Sequence, residues 1–311
     1  MLNKGGGSIK LFRVFGITVW LHWSWFLILA WRLQLAKNSS DSPGSTYYNS
    51  PVWMVAELIA VFGIVLLHEF GHALACKQTG GEADTIVLWP LGGIAYVRTP
   101  NRPGATLWSL AAGPLVNVVL VPVTLGAFIL AGLIWPHGEN TGLLQFLKMV
   151  MDINLIILCF NMLPIYPLDG GQILRSLLWF VIGPVRSLYT AVVIGFLGAV
   201  AMVGVAFLGH NPWFGVLAIF AASRCWAGFQ QAKVLGKIKA MPRHLDFKCP
   251  ACGESPFIGA FWGCNQCRKP FDPFETGGQC PHCSHEFHTA NCPLCHQLNP
   301  ISSWRVGPPP L

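Results

Sequence analysis

The stretch from Val52 to Cys76 is an apolar run long enough to cross a bilayer as one helix, yet it contains His68-Glu69-Phe70-Gly71-His72. That combination restricts the fold sharply. Lipid offers no partner to an open peptide group, so such a run folds as a helix with internal hydrogen bonds. Ionisable side chains at bilayer depth are costly and mark function. On a helix, residues four apart share a face, so His68 and His72 can hold one metal ion together. Glu69 lies about 100° round the same helix, where it can act as a base on a water at that ion.

Composition extends the membrane reading to the rest of the chain. Of 311 residues, 53% are hydrophobic and 11% charged, and mean hydropathy is +0.51. A soluble globular protein of this size is less apolar. Thirteen Trp and twenty Phe suit interfacial belts and lipid-facing surfaces. The net charge of +7 would fit a nucleic-acid binder, but the basic residues fall in loops between apolar runs. The expected partner is therefore the lipid bilayer, and nucleic acid is not expected. The pattern predicts an α-helical polytopic membrane protein of about six spans, at residues 15–35, 52–76, 106–135, 143–163, 188–208 and 213–229. Between the second and third lies a β-rich stretch from Thr85 to Val97, broken by Pro90 and Gly92-Gly93. It is too short to span and predicts a small membrane-embedded β-hairpin or re-entrant loop. Residues 172–182 read as a short amphipathic piece. Lys10, Arg13, Lys77, Arg98, Arg102, Arg186, Lys233 and Lys237 fall on one side, against little more than Arg32, Lys37 and Lys148 on the other. This bias predicts an integral, multi-pass membrane protein with both termini cytoplasmic.

The fourth span ends in Asn161-Met162-Leu163-Pro164-Ile165-Tyr166-Pro167-Leu168-Asp169-Gly170-Gly171. Its prolines and glycines unwind the helix and present Asp169 from irregular backbone. A catalytic zinc takes three protein ligands and leaves one position open. Asp169 is the expected third ligand; Asp152 lies a helix length away and is rejected. Asn161 is a candidate donor to a developing oxyanion or to the substrate backbone. Asn117 is expected to make an interhelical hydrogen bond, Lys148 and Asp152 an i,i+4 ion pair, and His22 to be a packing residue.

After Met241 the chain turns polar and Pro-rich and holds eight of the eleven cysteines, as Cys249/Cys252, Cys264/Cys267, Cys280/Cys283 and Cys292/Cys295. Four C-x-x-C pairs predict two tetrahedral zinc sites of four thiolates each; a reducing cytoplasm disfavours disulfides. Sequential pairing, two ribbons in a row, is the simplest arrangement, and an interleaved one stays open. His282, His285, His288 and His296 read as surface residues, and Cys76, Cys159 and Cys225 as small packing residues. The division expected is a membrane domain over residues 1–240 and a cytoplasmic double zinc ribbon over 241–311. With few basic residues of its own, the ribbon is expected to meet a protein partner.

HEFGH in the second span, Gly113-Pro114-x-x-Asn117 in the next and Asn161-x-x-Pro164-x-x-Pro167-Leu168-Asp169-Gly170 closing the fourth resemble the site-2 protease family of intramembrane zinc metalloproteases, over roughly residues 10–235. The resemblance implies that His68, His72 and Asp169 ligate one catalytic zinc, that Glu69 is the catalytic base and that Asn161 positions substrate. It implies peptide-bond hydrolysis within or near transmembrane segments of membrane-protein substrates. A helix hides its amides, so it must unwind first, and the β-hairpin edge could hold the unwound strand. Two alternatives are a catalytically inactive membrane adaptor whose ribbons bind a partner, and a membrane di-iron oxygenase. The second needs further His clusters, whereas His22, His137 and His210 are scattered.

Overall fold

In this computed structural model the chain runs β1 (Ser8–Val14), β2 (Ile17–His22), α1 (Ser24–Asn38), α2 (Pro51–Gln78), β3 (Glu82–Trp89), β4 (Gly92–Arg98), α3 (Pro103–Ile134), α4 (Thr141–Asn161), α5 (Asp169–Leu208) and α6 (Pro212–Ala240). Four short strands follow: β5 (Trp262–Gly263), β6 (Pro270–Phe271), β7 (Thr289–Asn291) and β8 (Leu298–Pro300). The structure describes residues 7–38, 51–89, 92–135, 141–293, 295 and 297–306. Pro90, Leu91, His137, His296 and most of the 37–50 loop lie outside them. The chain divides into two units, Met1–Ala232 and Lys233–Leu311.

Among the described residues, four helices are long and apolar enough to cross a membrane: α2, α3, α4 and α5. The sequence reading expects six. The apolar run at residues 15–35 divides into strand β2 and the 15-residue helix α1, shorter than the roughly 20 residues a span needs. Ile17 and Val19 are fully buried in alternation with less buried neighbours, a strand period that the density of apolar residues conceals. α6 runs 29 residues but carries Arg224, Lys233, Lys237 and Lys239, and its hydropathy falls short of the other four. In α5, Gly183 is non-helical at φ 79°, ψ 170°, just before Pro184. A proline disfavours helical backbone in the residue before it, and glycine alone takes this φ without strain. The kink separates residues 169–182, which include the expected amphipathic piece at 172–182, from 184–208.

The strands of the first unit form one sheet in the order β1-β2-β3-β4. The expected hairpin is β3–β4, antiparallel with Ile86 opposite Ala95. β2 runs parallel to β3, a pairing that the crossover through α1 and α2 permits. The β1–β2 hairpin is not among the sequence expectations. One face of the sheet packs on α2: Ile17, Val19, Ala83, Ile86 and Leu88 bury against Ala73 and Cys76, with Phe62, Leu66 and Phe70 around them. This lays β4, the edge strand, beside the half of α2 that carries the histidines. His22 is a packing residue, stacked on Trp89 with ring centroids 3.7 Å apart. Lys148 and Asp152 pair at 2.6 Å.

In the second unit the cysteine pairing is nested. Cys249, Cys252, Cys292 and Cys295 form one cluster, and Cys264, Cys267, Cys280 and Cys283 the other. This corrects the sequential expectation. The β5–β6 hairpin and the turn at 280–283 supply the inner cluster, while the β7–β8 hairpin brings the last pair back to the first. Each C-x-x-C sits in the same turn. The first cysteine's N–H donates to the carbonyl five residues on: Cys249 to Glu254 and Cys280 to His285 at 2.9 Å, Cys264 to Lys269 at 3.0 Å, Cys292 to Gln297 at 2.9 Å. Asp272, 4% exposed, ties the segments together. Its carboxylate accepts from His244 Nε2 and the Gly259 N–H, each at 2.8 Å, and from the Phe274 N–H at 3.0 Å.

Candidate metal centre

His68 and His72 project from one face of α2 toward the start of α5, where the broken helix end delivers Asp169. Asp169 Oδ2 lies 3.0 Å from His68 Nε2 and 3.4 Å from His72 Nε2, and the two Nε2 atoms are 3.1 Å apart. All three side chains are largely withdrawn from solvent. Asp152, the rejected alternative, is engaged with Lys148.

The remaining ring nitrogens have fixed partners. His68 Nδ1 is 2.6 Å from Asn117 Oδ1 on α3. His72 Nδ1 is 2.8 Å from the Ser109 carbonyl, and Ser109 Oγ donates back to the His72 carbonyl at 3.0 Å. Asn117 Nδ2 donates to Asn154 Oδ1 on α4 at 2.8 Å, and Asn154 Nδ2 donates to the Asn117 carbonyl at 3.1 Å. Asn117 thus makes the expected interhelical bond, with a metal-site histidine as one partner. Asn154 and Ser109 escaped the sequence reading. A polar residue inside an apolar span, at i−7 from Asn161, was the signal for Asn154.

This donor set fits a cation. A carbonyl can only accept, so His72 carries its proton on Nδ1. With Asn117 Oδ1 accepting from His68, both Nε2 lone pairs face each other and a carboxylate at about 3 Å. Three acceptors converging without a donor repel unless a cation sits among them. Zinc bonds of about 2.0–2.1 Å in tetrahedral geometry would separate the donors by about 3.3 Å, near the spacing seen. Close packing permits this: a Cβ on Gly113 would overlap the His72 ring, and one on Gly93 would overlap the Glu69 side chain.

Glu69 is 7% exposed and stands off the face shared by the two histidines. Its Oε2 accepts the Ala95 N–H of β4 at 3.0 Å. β4 is an edge strand, so this N–H points away from β3. Asn161 closes α4, partly exposed, and its side chain makes no hydrogen bond among the described residues.

The eight thiols are likewise spaced for metal. Cys249–Cys295 and Cys267–Cys280 sulfurs lie 3.7 Å apart, Cys252–Cys292 3.8 Å and Cys264–Cys283 3.6 Å. Zn–S bonds of about 2.3 Å set a tetrahedral edge of about 3.8 Å, whereas a disulfide needs about 2.05 Å. At Cys249, burial opposes ionisation, yet the Cys252 and Ala251 N–H groups bring the thiol down to about 7. The Cys267 N–H, 3.5 Å from the Cys264 sulfur, is the main reason that thiol falls to about 6.

Residues 56–137 and 137–205 match the peptidase family M50. A zinc metalloprotease of Methanocaldococcus jannaschii is 29% identical over 241 residues, 78% of this chain and 65% of that protein. Stage IV sporulation protein FB of Bacillus subtilis is 35% identical over 119 residues, 38% of each chain. The chain thus spans less than two-thirds of these curated relatives. The solved structure of the site-2 protease from Methanocaldococcus jannaschii superposes with a TM-score of 0.50 at 27% identity, covering 71% of this chain and 94% of that one. The matched segments contain both histidines, Glu69 and Asp169, and on them the chain belongs to peptidase family M50.

Proposed function

We propose that the protein is an intramembrane zinc metalloprotease that hydrolyses peptide bonds within or near transmembrane segments of other membrane proteins. The observation that carries this is the meeting of His68, His72 and Asp169 with Glu69 on helices apolar enough to span a bilayer. The curated relatives named zinc metalloproteases support it. Zinc held by His68, His72 and Asp169 would polarise the scissile carbonyl and acidify water. Glu69 takes the proton of the attacking water and returns it to the leaving amine nitrogen. The outer edge of β4 runs beside Glu69, which accepts the Ala95 N–H, and its other backbone groups offer donors and acceptors to an unwound substrate strand. Asn161 holds the substrate backbone. The membrane domain comprises residues 1–240, with six spans if α1 and α6 enter the bilayer. Residues 241–311 form a cytoplasmic ribbon with two structural zincs and a protein partner, and both termini are cytoplasmic.

The test is a pair of variants in the full chain. Glu69→Gln should keep three zincs and lose cleavage of a model transmembrane substrate by roughly 10²–10⁴-fold. Asp169→Asn should lose one zinc as well as cleavage. Loss of zinc in the first with full zinc and activity in the second would reverse both assignments.

A further inference from the structure

Asn154 and Asn117 are both fully buried, on neighbouring helices, between the metal centre and the α3–α4 contact. Burying two amides in an apolar bundle is costly unless each polar atom is matched. Here the match has a direction. The Asn117 carbonyl is backbone and accepts only, so the Asn154 atom 3.1 Å from it is the amide nitrogen. That fixes Asn154 Oδ1 toward Asn117, and the Asn117 atom 2.8 Å away must be its own amide nitrogen. Asn117 Oδ1 is then the atom left facing His68 Nδ1, at 2.6 Å. An oxygen there accepts, so the imidazole proton sits on Nδ1 and Nε2 keeps its lone pair toward His72 and Asp169.

We infer that Asn154 is a positioning residue: through Asn117 it sets the tautomer of His68 and thereby the affinity of the membrane site for zinc. The inference rests on the metal reading above. Without Asn154, nothing would stop the Asn117 amide turning its NH2 to His68. Nδ1 would then become the acceptor, and the proton would move to Nε2, where the metal must bind.

The experiment uses the full chain. Asn154→Leu should weaken zinc at the membrane site by about 10–100-fold, the usual effect of losing such a partner. Under chelator competition that leaves wild type with three zincs, the variant should hold two. Asn117→Asp added to Asn154→Leu should restore the third, because a carboxylate presents an acceptor to His68 whichever way it turns. A mere packing defect at 154 would not be repaired by that second change. In zinc-free, histidine-¹⁵N-labelled wild type, His68 should be protonated at Nδ1, and Asn154→Leu should shift it toward Nε2. Wild-type His68 protonated at Nε2, an unaltered third zinc in Asn154→Leu, or failure of the double variant to regain it would each overturn the inference. A wild type holding only two zincs would remove the metal reading instead, and the ¹⁵N signals would still decide the tautomer.

Discussion

Gly113 leaves no room for a methyl group beside the His72 ring, whereas Gly126 on the same helix has nothing within 4 Å of its would-be Cβ. The two glycines should therefore respond oppositely to alanine. Gly126→Ala removes a helix-interior glycine and should be neutral or stabilising by up to about 1 kcal/mol. Gly113→Ala must displace the His72 ring and should cost the membrane zinc, read as three zincs per chain falling to two. Equal zinc in both variants would mean that the ring moves aside freely. At this scale the sequence is most readable where chemistry is local. His68 and His72 share a helix face by spacing alone, and Asp169 announces itself through the prolines and glycines that break its helix. Asn154, Ser109 and the Ala95 N–H belong to the site only through contacts 26 to 37 residues away in sequence, which no spacing rule encodes.

β4 is the element through which the proposed substrate would enter, because its outer edge is unpaired within the sheet and meets Glu69. A proline removes one backbone donor and is tolerated on an edge whose N–H faces outward. Ala95→Pro removes the N–H that Glu69 accepts, so it should keep fold and zinc yet slow cleavage of a transmembrane substrate through the loss of that support to the base. Unchanged cleavage would remove the Ala95–Glu69 bond from the mechanism. The β3–β4 hairpin was legible because Val87-Leu88-Trp89 and Ile94-Ala95-Tyr96 flank a Pro/Gly turn. β2 was not: its alternation lies inside a run apolar enough to pass for a span, and only the buried face of the sheet distinguishes them. The ribbon makes the same point. Four C-x-x-C turns are local and readable, but their nested grouping is set by where the β7–β8 hairpin folds back. Cys252→Ser and Cys292→Ser should weaken the same zinc, and Cys264→Ser the other. Cobalt spectra of the single and double variants would show it, and coupling of Cys252 with Cys264 would restore the sequential arrangement.

The two units are held by different forces, and this gives the whole molecule a predictable order of failure. The helices of the first unit bury apolar faces and need no ion to do so. The second unit has a core of only a few large side chains, Phe274 and Trp304 packed at 5.0 Å among the cysteines. A domain this small seldom closes on apolar burial alone, so the zinc proposed for it would supply much of its folding free energy. Metal binding needs thiolates. Because Cys249 and Cys264 lie at about 7 and about 6, each cluster keeps its first anion down to that range. These thiols sit below their ordinary value, so their contribution is complete at alkaline pH and is lost as pH falls through 7 to 6. Protonation of the thiolates should therefore release zinc from the ribbon as the medium is acidified, and strong chelation should release it at neutral pH. Hydrogen exchange on the full chain can follow both. In metal-stripped protein, amides of residues 249–306 should lose protection while those of α2 to α5 keep it, and added zinc at pH 7.5 should restore the first set. The Cys249, Cys264, Cys280 and Cys292 N–H groups are the sharpest reporters, since each is bonded within its own metal-binding turn. If those four stayed protected after complete removal of zinc, the ribbon would be folding on Asp272 and its small aromatic core, and the metal would have a role other than holding the domain together.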